Sequence, residues 1–319
     1  MFSFNKIGII GAGSYGTAIA QCFSKKAEEV LLVSDVKVIA ANINKLHMNL
    51  KALCGASLSV NVACTNNFSE VNDSDIIFIA VPMAAVSLVC RQIKESRIKT
   101  PIVLCSKGFD IENARLQSDL FEEILDNDYA VLSGPSFASE IAQGLPAEVN
   151  IASKNNELSN RVALSLSSEM FKMEVIDDYI GLQVAGALKN VLAIGCGILS
   201  GLKLGNSAIA KLIVNGLHEM AQLAVSLGGK KETFSKLGGI GDTVLTCTSR
   251  QSRNILFGEH LAGGGSIDNW NGPLAEGVFA AKIIPIFEQK YDISLKILSE
   301  IHRVVYQKKC IFEMISEII

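Results

Sequence analysis

A lysine set in a long apolar stretch is the first residue with chemistry to offer. Lys189 lies within Val184–Leu202, a run interrupted only by Lys189, Asn190, a serine and several glycines. Burying an ammonium group is costly unless it has a partner or a task. One such task is proton transfer. Hydride addition to a ketone leaves an alkoxide, and an ammonium group can hand it a proton while stabilising the charge as it grows. Desolvation lowers a lysine pKa from its free value of ~10.4, so the same group can act as a base in the reverse direction. Taken alone, Lys189 also fits a plainer description, with its stem along the core and its head at water.

Other residues have types and spacings that suit the same reaction. Asp242 and Thr246 are four apart, after the glycine-rich Gly238–Gly241, and would share one face of a helix starting there. Asp242 could hold Lys189 or a substrate hydroxyl, or simply cap the helix. Lys107 follows the apolar run Ile102–Cys105, at the edge where open α/β sheets bind ligands; the alternative is a solvated loop lysine. Arg253, within Ser252-Arg253-Asn254, has the planar fork that grips phosphate, and would otherwise form a surface ion pair. Asn190 and Asn254 can add neutral donors.

Gly11-Ala12-Gly13-Ser14-Tyr15-Gly16 has the G-x-G-x-x-G spacing and follows the apolar run Ile7–Ile10. Gly11 would allow a tight turn, Gly13 a close approach of backbone to a pyrophosphate, and Gly16 close packing of helix on strand. Asp35 ends the second apolar run, 22 residues beyond Gly13. An acidic residue there accepts hydrogen bonds from the adenosine ribose and repels a 2′-phosphate, which favours NADH over NADPH. A turn or helix-cap role is the alternative for Asp35.

These residues need a scaffold, and the chain shows one. The runs Ile7–Ile10, Val30–Val33, Ile76–Val81, Ile102–Cys105, Ala130–Ser133 and Glu148–Ala152 are rich in Ile and Val with little alternation, as in strands buried on both faces. Helical periodicities lie between them, at Thr17–Lys26, Ala84–Ile93 and Leu116–Leu125. Beyond Asp178 only helical patterns remain, at Leu182–Leu199, Ala208–Leu227, Glu276–Gln289 and Ser294–Tyr306, with glycine-rich breaks. The expectation is an α/β N-terminal Rossmann-type doubly wound sheet over residues 1–180, binding a dinucleotide, followed by an all-α substrate domain over residues 181–319.

Composition narrows the function classes. The 319 residues are 49% hydrophobic with a net charge of −3 and interspersed signs, so no basic stripe offers itself to nucleic acid. None of the eight cysteines forms a C-x-x-C pair, and the four histidines are scattered, which argues against a zinc site. Thiols lying mostly in apolar segments suit a reducing compartment, so a cytoplasmic location is expected. Ile7–Ile10 is too short for a signal h-region, and Val184–Leu202 is too polar for an ordinary membrane span, so no membrane insertion is expected. His218 reads as a helix-surface residue, Trp270 as part of a polar loop, and Cys247 as lacking the partner of a nucleophile.

The motifs gain specificity from their order. Ser106-Lys107-Gly108, Gly134-Pro135-Ser136-Phe137-Ala138, Gly186-Ala187-Leu188-Lys189-Asn190-Val191, Gly241-Asp242 with Thr246-Cys247-Thr248, Ser252-Arg253-Asn254 and Ala275-Glu276-Gly277 follow one another along the chain. In this order the chain resembles the bacterial NAD(P)-dependent sn-glycerol-3-phosphate dehydrogenase family over nearly its whole length. The resemblance implies a reversible hydride transfer between NAD(P)H and dihydroxyacetone phosphate, giving sn-glycerol 3-phosphate for phospholipid synthesis, by a homodimer. It implies Lys189 as catalytic base, with Lys107 and Asp242 beside it. It implies cofactor contacts at Ser14, Tyr15, Lys107, Ala138, Arg253, Leu274 and Glu276. Substrate contacts are implied at Lys107, Gly134, Ser136, Lys189, Asn190, Asp242, Thr246, Ser252, Arg253 and Asn254. One departure stands out. Ser34 leads directly to Asp35, where the family often has a basic residue or histidine first, which puts an NADP preference in doubt for this chain. A related β-hydroxyacid or ketopantoate-type reductase is the alternative enzyme, and a dinucleotide sensor the non-enzymatic one.

Overall fold

The computed structural model describes residues 4–319. The chain divides into two compact units. The first takes it as far as Ser106, with Ser118–Leu132 and Ser136–Tyr179, and the second holds Lys107–Gln117, Ser133–Pro135 and Ile180–Ile319.

In chain order the first half supplies β1 (Lys6–Ile10), α1 (Ser14–Phe23), β2 (Glu29–Val33), α2 (Lys37–Leu46), β3 (Val62–Thr65), β4 (Ile76–Ile79), α3 (Met83–Glu95) and β5 (Ile102–Leu104). There follow the short pair β6 (Phe109–Asp110) and β7 (Arg115–Leu116), then α4 (Gln117–Ile124), β8 (Tyr129–Ser133), α5 (Ala138–Ala142), β9 (Ala147–Ser153), α6 (Asn156–Leu166) and β10 (Phe171–Val175). Eight strands form one sheet in the order β10-β9-β8-β5-β4-β1-β2-β3. The pairs β1–β2, β2–β3, β1–β4, β4–β5, β5–β8 and β9–β10 are parallel. Strand order reverses between β1 and β4, and such a switch point is where open sheets of this kind bind ligands. The central strands are continuous apolar runs because helices cover both faces. Ile76, Ile77, Phe78 and Ile79 of β4 are all fully buried, each contributing about 1.5–3 kcal/mol.

Two strands of this sheet are absent from the sequence reading, β3 and β10, and both are its edges. An edge strand is half-solvated, so its pattern alternates. In β10, Phe171 and Met173 are buried while Lys172 is exposed, a period of two that a search for unbroken apolar runs passes over.

The second unit is built on α7 (Tyr179–Gly201), α8 (Asn206–Ser226), α9 (Asp242–Thr248), α10 (Arg253–Ala262), α11 (Glu276–Ala281), α12 (Ile284–Tyr291), α13 (Lys296–Gln307) and α14 (Ile311–Ile318). Helix α7 is buried without a break from Gly181 to Leu199. It is long and apolar enough to cross a membrane, but its most apolar window is 100% buried within the protein. The pattern Glu276–Gln289, read as one helix, is two. Pro285 stands in the first turn of α12, where its missing N–H costs nothing but a continuous helix would have needed it. The β6–β7 hairpin was also not anticipated. Its Phe109 and Leu116 pack into the core of the second unit, so Lys107 is carried by that unit although it lies only three residues beyond the end of β5.

Candidate active site

The glycine loop of the first unit follows β1. Gly11 has φ +113°, and a Cβ added there would lie 2.6 Å from the Ala80 carbonyl oxygen, so only glycine fits. A Cβ on Gly16 would overlap the Gly11 carbonyl oxygen, whereas one on Gly13 would meet nothing within 4 Å. The space over Gly13 is therefore open and would be filled by any larger residue. Helix α1 begins there with no side-chain cap and no acidic residue in its first turn. Its free N–H groups and positive end suit a pyrophosphate, so these residues fit a dinucleotide.

Around this loop, Ser14 Oγ donates to the Ala52 carbonyl at 2.6 Å, Tyr15 is half-buried and Asp35 is exposed at the end of β2. Asp35 does not cap α2, whose N-cap position is Val36 with no side-chain bond. It makes no hydrogen bond or ion pair with any described residue, which leaves its carboxylate available to a ribose. Ser136 is half-buried, and Ala138 opens α5, which packs on α1. Sequence reasoning missed Asn49. It is 1% exposed, its Nδ2 donates to the Ala12 carbonyl and to Thr17 Oγ1, each at 2.9 Å, and its Oδ1 accepts from Ala52 N–H at 3.1 Å. It braces the loop across 37 residues of sequence, a link no local pattern reveals.

Three charged groups meet in the second unit. The Asp242 carboxylate accepts from Lys107 Nζ at 2.9 Å through Oδ2 and from Lys189 Nζ through Oδ1. Lys189 presents its head from the buried helix α7. Lys107 is held by the hairpin, where Asp110 accepts from Arg115 Nε at 2.8 Å and Asn113 Nδ2 at 2.9 Å and Phe109 meets Phe287 edge-on at 5.1 Å. Asp242 opens α9 after a wide π turn, Leu237–Gly241. Its carboxylate is spent on the lysines and not on capping the helix. The side chains of Lys189 and Asp242 are 7% and 2% exposed, and that of Lys107 is 20% exposed, so Lys107 is the solvent-facing member.

The two lysines are shifted in opposite directions. Burial, with Lys107 adding repulsion, outweighs the attraction of Asp242 and brings Lys189 down to about 7. Burial also acts against Lys107, but there the Asp242 carboxylate prevails and the group is raised above the ordinary lysine value. Asp242 is held below the usual carboxylate range, because the two ammonium groups outweigh the opposing effect of burial. Burial raises Glu276, in the first turn of α11, despite the positive charges of Arg253, Lys107 and Lys189 facing it.

The remaining candidates divide by how they are occupied. Arg253, the first residue of α10, is exposed and makes no hydrogen bond or ion pair with a described residue. Thr246 is 5% exposed, and its hydroxyl bonds to no described residue. Ser252 caps α10, accepting from Ile255 N–H at 3.5 Å. Asn254 donates to Asn190 Oδ1 at 2.9 Å and accepts from Gly277 N–H at 2.9 Å, while Asn190 Nδ2 donates to the Gly186 carbonyl at 3.3 Å. The sequence offers these two asparagines as neutral donors, but much of their capacity ties α7, α10 and α11 together. Leu274 is exposed before α11, and Gly134 is buried in the 133–135 segment. The Cys247 thiol is pushed well up by burial, so it is no nucleophile.

Comparison with known proteins matches residues 6–159 to the family described as NAD-dependent glycerol-3-phosphate dehydrogenase N-terminus, and residues 178–316 to the corresponding C-terminus. A protein of Zymomonas mobilis named glycerol-3-phosphate dehydrogenase [NAD(P)+] is 38% identical, covering 93% of this chain and 88% of its own. A crystal structure of glycerol-3-phosphate dehydrogenase from Coxiella burnetii superposes with a TM-score of 0.93 at 33% identity, over 99% of both chains. A probable 2-dehydropantoate 2-reductase from Bacillus subtilis is similar at a TM-score of 0.60 and 14% identity, covering 97% of this chain and 99% of its own, a likeness of fold alone.

Proposed function

The chain belongs to the NAD-dependent glycerol-3-phosphate dehydrogenase family, and from that premise we propose that it interconverts dihydroxyacetone phosphate and sn-glycerol 3-phosphate, with Lys189 as the proton donor and acceptor. The observation that carries this reading is the buried Lys189–Asp242–Lys107 cluster. It holds one ammonium group whose pKa lies near 7, where proton exchange with an alkoxide is efficient in both directions.

The nicotinamide, when bound, supplies and receives the hydride. The glycine loop Gly11, Gly13 and Gly16, with Ser14 and Tyr15, holds the pyrophosphate on the N-terminus of α1, and Ala138, Leu274 and Glu276 add cofactor contacts. Lys189 polarises the substrate carbonyl and gives its proton to the oxygen as charge develops there. Asp242 keeps that ammonium in place. Lys107, charged throughout, adds positive potential for the oxyanion and for the phosphate. Arg253 grips the phosphate in paired, charge-assisted bonds, with Thr246, Ser252, Asn254, Asn190, Gly134 and Ser136 completing the substrate contacts. Asp35 takes the ribose hydroxyls, so NADH is the preferred reductant. We place the enzyme in the cytoplasm as a homodimer that feeds glycerophospholipid synthesis.

The test is direct. NADH absorbance falls when dihydroxyacetone phosphate is added to the purified protein, and a panel of 2-ketoacids, ketopantoate included, gives no comparable rate. Turnover of ketopantoate in preference to the triose phosphate would overturn the assignment.

A further inference from the structure

We propose that Thr243 is a positioning residue that fixes the Asp242 carboxylate between Lys107 and Lys189, an inference resting on the proton-transfer role assigned to that cluster. Thr243 is fully buried and touches no reacting group. Its Oγ1 donates to the Gly239 carbonyl at 2.8 Å. The Asp242 N–H donates to that same carbonyl and to the Leu237 carbonyl. The residue carrying the carboxylate and the residue after it thus hang from one oxygen atom.

That oxygen is itself anchored. A Cβ added to Gly239 would overlap the Thr233 carbonyl oxygen and lie 2.6 Å from Phe234 Cα, so the turn is pressed against the 231–235 segment with no slack. A wide turn spaces its backbone bonds at five residues and disrupts the α-helical ladder. The Thr243 hydroxyl, bonding back to the carbonyl four residues earlier, adds a side-chain tie across that turn, of the kind that sets a local bend in a helix. The tie matters because, among the described residues, the Asp242 carboxylate has no hydrogen-bond partner other than the two ammonium groups, and both end long flexible stems. Without it, α9 would be free to rock about the π turn and draw the carboxylate away from Lys189, loosening that ion pair.

Valine keeps the shape of threonine and removes only the hydroxyl; serine keeps the hydroxyl and removes a methyl group. The experiment uses the full-length chain and compares Thr243→Val and Thr243→Ser by kcat, KM for NADH, thermal midpoint and the pH profile of ketone reduction. The groups facing Lys189 are Asp242 and Cys247 from α9, Lys107 from the hairpin segment and Glu276 from α11, and all are retained in both variants. Thr243→Val should lower kcat about ten- to a hundredfold and move the alkaline limb to lower pH, because Asp242 attracts less while Lys107 still repels. KM for NADH should not change, and Thr243→Ser should restore both rate and limb. Thr243→Ala serves with the same expectations if the valine variant gives no soluble protein. Wild-type rate and limb in the valine variant would overturn the inference, as would a fall in rate with an unmoved limb. Failure of the parent reading looks different: the chain with Thr243 intact would show no Lys189-dependent limb at all.

Discussion

Lys107 and Lys189 share the single carboxylate of Asp242, yet they lie on opposite sides of the ordinary lysine pKa. Both lysines bear the cost of burial, and Lys189, the less exposed of the two, bears the repulsion of its neighbour as well. Lys107 reaches solvent, and for it the attraction of Asp242 prevails. The cluster therefore holds one permanent positive charge and one proton that can leave near neutrality. A single lysine in the same helix would give only one of these.

The first consequence is a pH profile of opposite sign in the two directions. Ketone reduction needs Lys189 protonated, so kcat should be greatest below about 7 and fall as pH rises through that value. Alcohol oxidation needs the neutral amine and should rise through the same range. Steady-state rates in both directions, from mildly acid to mildly alkaline pH, read this. Limbs of the same sign in both directions would contradict it.

Removing the shared carboxylate should act on stability as well as rate. Asp242→Asn leaves two ammonium groups close together with Glu276, among the described residues, opposing them. Breaking a fully buried pair costs about 3–5 kcal/mol, and less here because Lys107 is partly solvated. The penalty falls on the charged forms, so the loss in thermal midpoint should be larger at acid than at alkaline pH, where Lys189 is neutral. Equal losses at both would show that the cost is packing and not charge.

Arg253 is exposed and unpaired by any described residue, as a group reserved for an incoming anion would be. Arg253→Ala should raise KM for dihydroxyacetone phosphate roughly ten- to a hundredfold, the equivalent of about 1.5–3 kcal/mol for bonds to a charged group. The already poor rate with phosphate-free dihydroxyacetone should be unaffected. An equal effect on both ketones would take Arg253 off the phosphate.

Much of this architecture is legible in the residues before any coordinates. The run Ile7–Ile10, Gly11, and the start of α1 follow one another so closely that the local pattern suffices. The parts that escape are those set by distant neighbours or by one-sided exposure. Strands β3 and β10 alternate because they are edges. Helices α11 and α12 part at a proline inside an otherwise good period. The β6–β7 hairpin is too short to show a period, and the bonds by which Asn49 braces the glycine loop reach residues 32 and 37 positions away. In the candidate site, Asp242 and Lys189 stand out by type, but their pairing spans 53 residues and that of Asp242 with Lys107 spans 135. No spacing rule could have shown that one carboxylate serves both.

Asp35 bears on cofactor choice. Replacing it with asparagine removes the charge that would oppose a 2′-phosphate and weakens the bonds to the ribose. The ratio of kcat/KM for NADPH to that for NADH should rise about tenfold, from a single charge-assisted bond lost on one side and repulsion relieved on the other. An unchanged ratio would place the discrimination elsewhere in the first unit.

The most direct measurement is turnover of dihydroxyacetone phosphate by Lys189→Ala, made beside NADH binding by fluorescence. Loss of general acid catalysis should lower kcat about 10²–10⁴-fold while the NADH dissociation constant stays as in the parent protein, since the glycine loop is untouched. Undiminished kcat in that variant would contradict the account, because the proton would then come from some other group.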